Sequence, residues 1–157
     1  MFVKKPRYIL WVLVAEGVGI LSGLLSREST QIYSEMIEKP ALSPPGILFP
    51  IVWTILYALM GIGAARVDTA QPGSARNSAL NVVVVQLVVN FFWSLIFFNA
   101  QAYGFALIWL LLLWIRIIAM IIFFWRVDKP AALLQIPYLI WVSFAAYLNY
   151  GVWQLNP

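Results

Sequence analysis

Residues 104–125 read GFALIWLLLLWIRIIAMIIFFW, 22 positions broken by one charge, Arg116. Wound as an α-helix at 1.5 Å per residue, such a run is about 33 Å long. The hydrocarbon core of a bilayer is about 30 Å thick. A buried helix of a water-soluble domain rarely stays apolar for so long, and the run shows no strand-like alternation. It reads as a membrane-spanning helix.

The same reading extends outward along the chain. Segments 80–98 and 131–155 carry no charge, 47–67 has only Arg66, at its end, and 8–25 has only Glu16. Backbone groups in lipid must be satisfied within each segment, so helices are the expected form. The fold class is all-α: one membrane domain, residues 1–157, holding a bundle of five transmembrane helices. Composition agrees. The chain is 63% hydrophobic and 10% charged, against roughly 45–50% and about 25% for soluble domains. Lys4, Lys5 and Arg7 precede the first segment in the manner of a signal peptide, but the apolar run is long and no small-x-small cleavage site follows. It is expected to be a retained helix.

There is no cysteine and no histidine. Thiolate chemistry, the commonest general base and the usual metal and haem ligands are absent. No metal site and no required cofactor are expected, and nothing points to nucleic acid. The work falls to aromatic, amide and backbone groups.

Orientation follows from Lys and Arg near the span ends. The side of the N-terminus holds Lys4, Lys5, Arg7, Arg66, Arg76, Arg126 and Lys129, while the opposite side holds Arg27 and Lys39. Seven against two places the N-terminus in the cytoplasm. The links are short except for 26–46, expected to be a long polar loop. A loop of that length in a small protein is more often functional than idle.

Three clusters stand out. The long link ends in Lys39-Pro40-Ala41-Leu42-Ser43-Pro44-Pro45, with Phe49, Trp53 and Tyr57 beyond it. Alone, this describes a stiff loop anchor. On the third span Gln86, Asn90, Trp93 and Phe97 recur every three or four residues, hence on one helical face. Amides facing lipid are costly, so this face is expected to look inward. Interhelical hydrogen bonding would suffice to explain it. On the fifth span Trp141, Ala145 and Leu148 share a face.

Taken together, the clusters resemble the TspO/MBR family, which includes bacterial tryptophan-rich sensory proteins and the mitochondrial translocator (peripheral-type benzodiazepine receptor) proteins. The likeness runs from about Arg27 to Trp153. It implies a bundle that binds porphyrins and, in some members, sterols and synthetic benzodiazepine-receptor-type drugs. It also implies a homodimer, and a bacterial cell membrane as its location. By motif position the ligand-binding residues would be Trp53, Asn90, Trp93, Phe97, Trp141, Ala145 and Leu148, with Tyr33 from the long link. Leu42 stands where the family usually has tryptophan. Tyr147 and Tyr150 lack the following basic residue of the proposed cholesterol motif, which ranks sterol below porphyrin.

The expected function is a tetrapyrrole-binding receptor or translocator that senses stress or a metabolite, with a protoporphyrin-type ligand. The alternatives are light- and oxygen-dependent porphyrin breakdown, for which Trp53 and Trp141 would be the oxidisable residues, and transport of a sterol or other small molecule. Glu16 and Arg116 lie at matching depth, which permits an ion pair; the alternative is separate partners, with Arg116 bonding carbonyls or snorkelling. Ala15, Gly19 and Gly23, spaced by four, allow either close packing inside the bundle or a dimer seam.

Overall fold

The computed structural model describes residues 5–157. Five helices long and apolar enough to cross a membrane are present among them: Lys5–Leu25, Leu48–Asp68, Ser74–Asn99, Tyr103–Val127 and Lys129–Leu155. No strand occurs among the described residues. We number the elements α1 (Lys5–Leu25), α2 (Arg27–Met36), α3 (Leu48–Asp68), α4 (Ser74–Ser94), α5 (Tyr103–Val127), α6 (Lys129–Leu133) and α7 (Ile136–Leu155). The chain is an integral membrane bundle with α1, α3, α4, α5 and the α6–α7 pair as its spans.

The structure corrects one expectation and adds detail to two spans. First, the link 26–46 is not simply a loop, because Arg27–Met36 forms α2. Its sequence, RESTQIYSEM, is polar on most sides and shows no long apolar run, so it does not announce itself as a helix. Second, the fifth span is broken at Leu134 and Gln135. Pro137 lacks an N–H and its ring crowds the carbonyl four residues back, that of Leu133. Third, α4 does not run on evenly past Ser94 but enters a π-helical turn, Leu95–Asn99. There the Ala100 amide donates five residues back to the Leu95 carbonyl at 2.9 Å.

α1 lies along α3, α4 along α5, and α5 along α7. Small residues set the first contact. A Cβ on Gly61 would strike the backbone of Val12, and one on Gly19 would strike the Tyr57 ring. Ala15 is buried there too. Gly23 meets nothing within 4 Å. The glycine stripe thus serves packing inside the bundle at Gly19, which leaves room for the Tyr57 ring. Leu56, Met60, Val83, Leu110, Leu113, Ile117, Met120, Phe124 and Val142 fill the centre.

At one end of the bundle, side chains tie the helix termini together. Asp68 at the end of α3 accepts from Arg7 Nη1 at 3.1 Å and Trp11 Nε1 at 2.9 Å. Arg76 on α4 reaches the same carboxylate at 3.4 Å. Asp128 accepts from Arg66 Nε at 2.6 Å and from the Ala131 amide at 3.1 Å, so one carboxylate pins α3 and caps α6. Of the two alternatives for Glu16 and Arg116, the ion pair is not formed. α1 packs on α3 and α4, whereas α5 packs on α4, α6 and α7. Arg116 points to an exposed face.

At the other end, α2 and the proline link close over the bundle. Tyr33 and Ile37 pack on a small apolar group of Phe97, Tyr103, Ala106 and Val152. The link is then fastened to α7. Tyr147 Oη donates to the Ala41 carbonyl at 2.7 Å, and Asn156 Nδ2 donates to the Glu38 carbonyl at 2.8 Å. Pro40 lies against Gly151, where a Cβ would collide with its ring. Leu42 has a left-handed backbone, φ 70°. Its side chain is 80% exposed and takes no part in the closure.

Candidate functional site

Beneath that cover is a cavity of about 520 Å³. Its walls come from α1, α2, the proline link, α3, α4 and α7. Tyr33, Trp53, Asn90, Trp93, Phe97, Trp141, Ala145 and Leu148 all line it. The sequence therefore selects eight residues, from α2, α3, α4, the π-helical turn and α7, that the fold brings to one space. Of the proline motif, Lys39 and Pro44 line the cavity. Pro40 packs on Gly151, and the Pro45 carbonyl accepts the Leu48 amide at 3.0 Å to start α3.

The aromatic side chains are held by one another. Trp53 stacks on Tyr57 at 5.6 Å between ring centres and meets Tyr138 edge-on at 6.1 Å. Trp93 stacks on Phe97 at 5.1 Å. Phe49 meets Trp141 edge-on at 5.7 Å. Phe97 and Phe98, carried by the π-helical turn, sit 5.4 and 5.2 Å from the Tyr33 ring. Offset and edge-to-face pairs of this kind orient rings firmly without polar contacts.

A chain of polar groups crosses the floor. Tyr57 Oη donates to Asn90 Oδ1 at 2.6 Å, Asn90 Nδ2 donates to Tyr138 Oη at 2.6 Å, and Tyr138 Oη donates to Gln86 Oε1 at 2.8 Å. Gln86, Asn90 and Tyr138 are buried. Asn90 thus ties three helices as well as lining the cavity. Nearby, Trp93 Nε1 donates to Asn149 Oδ1 at 3.1 Å, and Asn149 Nδ2 donates to the Tyr103 carbonyl at 2.8 Å. Asn149 and Tyr57 line the cavity, and sequence reasoning passed over both. Their signal was an amide or hydroxyl inside an apolar span, which demands a partner.

Trp141 Nε1 is buried with no hydrogen-bond partner among the described residues. At the outer end, Lys39 Nζ donates to the carbonyls of Ser34 (3.1 Å) and Ile37 (2.9 Å) and lies 4.8 Å from the Tyr33 ring centre. Burial, with a lesser contribution from Tyr103, pushes the Tyr33 hydroxyl up to about 12. It is a neutral group at any physiological pH. Among the described residues, no group of three or more acidic, His or Cys side chains could hold a metal.

Not every tryptophan belongs to the site. Trp109 Nε1 bonds the Val89 carbonyl at 2.7 Å and Trp114 Nε1 bonds Ser143 at 2.9 Å, both fixing helix pairs. A second, wholly apolar groove lies on the outside between α3 and α7. Ile55, Pro137 and Ile140 line it, and so does Trp141, which it shares with the cavity.

Comparison with known proteins bears on this arrangement. Residues 11–154 match the model of the TspO/MBR family. The chain is 41% identical over 141 residues to "Tryptophan-rich protein TspO" of Chlorobaculum tepidum, covering 89% of each. It is 41% identical to "Protein CrtK" of Rhodobacter capsulatus over 78% of each chain. It is 36% identical to the human "Translocator protein", covering 76% of this chain and 72% of that one. Five spans in order, an aromatic cavity under a proline link and a match over nearly the whole length lead to one conclusion: this chain belongs to the TspO/MBR family of membrane sensor and translocator proteins.

Proposed function

We propose that the cavity binds a protoporphyrin-type tetrapyrrole and that the protein acts as its membrane receptor or translocator. The observation that carries this reading is the gathering of Trp53, Trp93, Phe97 and Trp141 around one space of about 520 Å³. Ligand pockets commonly span about 300–1,000 Å³, with apolar walls and a few polar groups. A flat macrocycle offers its faces to indole and phenyl rings. Its acidic side groups find Lys39 and Arg27 at the outer end. Stacking needs no axial ligand, which suits a chain without histidine or cysteine.

The test is titration of the detergent-solubilised protein with protoporphyrin, read by tryptophan emission. Saturable quenching is expected. Non-saturating quenching, equal to that of an unrelated tryptophan-containing membrane protein, overturns the reading. The second reading, oxygen-dependent photo-oxidation of the bound porphyrin, is favoured by one observation: oxidisable Trp53 and Trp141 line the same cavity. Illumination without oxygen separates the two, since binding persists and turnover stops. In the orientation we infer, the N-terminus is cytoplasmic and α2 lies outside a bacterial cell membrane. The clustering of Arg7, Arg66 and Arg76 at one end of the bundle supports it.

A further inference from the structure

Glu16 is the only carboxylate lining the cavity among the described residues. It stands in the middle of α1, on the turn before Gly19, and is half-buried. The ion pairs among the described residues join Arg7, Arg66 and Arg76 to Asp68 and Asp128, and none includes Glu16. Tyr57, which lines the same cavity, has its hydroxyl proton committed to Asn90. An ionisable group inside a membrane span and without a charged partner is costly, and such groups face a cavity and mark a ligand or ion path.

The cations of the cavity lie elsewhere. Arg27 and Lys39 line its outer end. Glu16 is ten residues before Ser26, about 15 Å along the helix axis. The cavity is therefore polarised, positive toward the covering link and negative in its inner half. A ligand with one charged end is oriented by that field: an anion faces outward, and a protonated nitrogen faces inward.

Resting on the reading of this cavity as a ligand site, we propose that Glu16 is a cation subsite. It selects, among flat aromatic ligands, those that carry a protonated nitrogen, and seats that nitrogen in the inner half of the cavity. The open space over Gly23, where no atom lies within 4 Å of a Cβ position, leaves room for the ligand along α1. The subsite adds an organic-cation class of ligand to the acidic tetrapyrroles.

The experiment compares two probes with one ring system in non-ionic detergent: 9-(aminomethyl)anthracene, a cation at neutral pH, and 9-(hydroxymethyl)anthracene, which is neutral. The natural protein is expected to favour the cation about tenfold, the equivalent of about 1.4 kcal/mol. In Glu16→Gln the ratio falls to about one. Glu16→Asp retains a preference, which guards against reading a misfolded Gln variant as support. A ratio near one in the natural protein, a ratio unchanged in Glu16→Gln, or binding of neither probe overturns the subsite. Protoporphyrin quenching is measured on the same samples. Its absence with the ratio intact overturns the tetrapyrrole reading instead, so the two failures are distinguishable.

Discussion

The Tyr57 hydroxyl and the Asn90 amide are 2.6 Å apart, and that bond is the first link of a relay through Tyr138 to Gln86 that joins α3, α4 and α7. Asn90 has one hydrogen bond on its oxygen and one on its nitrogen without any ligand. It is a structural residue whose remaining lone pair and N–H are available to the cavity.

Replacing it tests the structural role. Asn90→Leu leaves Tyr57 without an acceptor and Tyr138 without a donor. Buried unsatisfied groups cost about 1–3 kcal/mol each, while interhelical bonds in membranes average below 1 kcal/mol. A net loss of about 1–2 kcal/mol is expected, seen as a lower melting temperature in detergent. Tyr57→Phe is expected to lose less, because it leaves one group, Asn90 Oδ1, without a partner while the bond from Asn90 Nδ2 to Tyr138 remains. Equal stability of all three proteins contradicts the relay.

The cavity reading is tested by bulk and by area. Ala145→Phe fills space one turn after Trp141 and is expected to weaken protoporphyrin binding at least tenfold with the bundle intact. Trp141→Ala is expected to lose roughly tenfold through missing aromatic contact. Trp141→Phe keeps most affinity and sheds part of the quenching. If Ala145→Phe and Trp141→Ala both bind as the natural protein does, the ligand sits elsewhere.

Topology is open to labelling, because the chain has no cysteine of its own. Ser34 on α2 and Ser74 at the start of α4 are both exposed. Single cysteines at these positions are expected to react from opposite faces of intact cells, the one at 34 from outside. The reverse pattern inverts the orientation.

Release of ligand is expected to depend on the fastening of the link to α7. Asn156→Ala removes the bond to the Glu38 carbonyl and the longer one from the Glu38 amide, and Tyr147→Phe removes the bond to the Ala41 carbonyl. At about 1 kcal/mol per bond, each is expected to speed dissociation roughly fivefold with little change in association. Stopped-flow displacement measures this, and unchanged rates would mean that ligand leaves by another route.

The covering segment also carries a pH signature. The Tyr33 hydroxyl is pushed up from 10.0 to about 12, first by burial and then by Tyr103. The folded protein favours the neutral form, so this contribution is whole below the ordinary tyrosine range and is lost as pH rises through about 12. Subtracting the tyrosinate absorbance titration of Tyr33→Phe from that of the natural protein isolates the transition. A transition at the ordinary value would show that Tyr33 is not buried against Phe97 and Phe98.

Much of this architecture was legible because a bilayer imposes a single rule on twenty-residue segments. The spans were found by length and hydropathy, and the eight cavity residues by what the family resemblance implies at each motif position. What escaped has a physical reason in each case. α2 is short and polar, and its helical state depends on Tyr33 and Ile37 seating on the bundle. The π-helical turn at Leu95–Asn99 has no proline or glycine to betray it. The Glu16–Arg116 pairing failed because equal depth fixes position along the membrane normal but leaves the direction around each helix free. Asn149 was visible as an amide in an apolar run, yet its partner Trp93 lies 56 positions away in the chain.

Trp141 borders both the internal cavity and the outer groove between α3 and α7. Over that stretch, then, the partition between binding site and membrane is one indole thick. In a bilayer, acyl chains would touch one side of the ring, and a ligand bound as proposed would touch the other. The surrounding lipid becomes part of the binding equilibrium: chain length, unsaturation or a brominated tail will register in the emission of Trp141 and in affinity alike. A dissociation constant for this protein is therefore a property of the protein and its host bilayer together, and values taken in detergent and in membranes of different composition should diverge in step with the Trp141 signal.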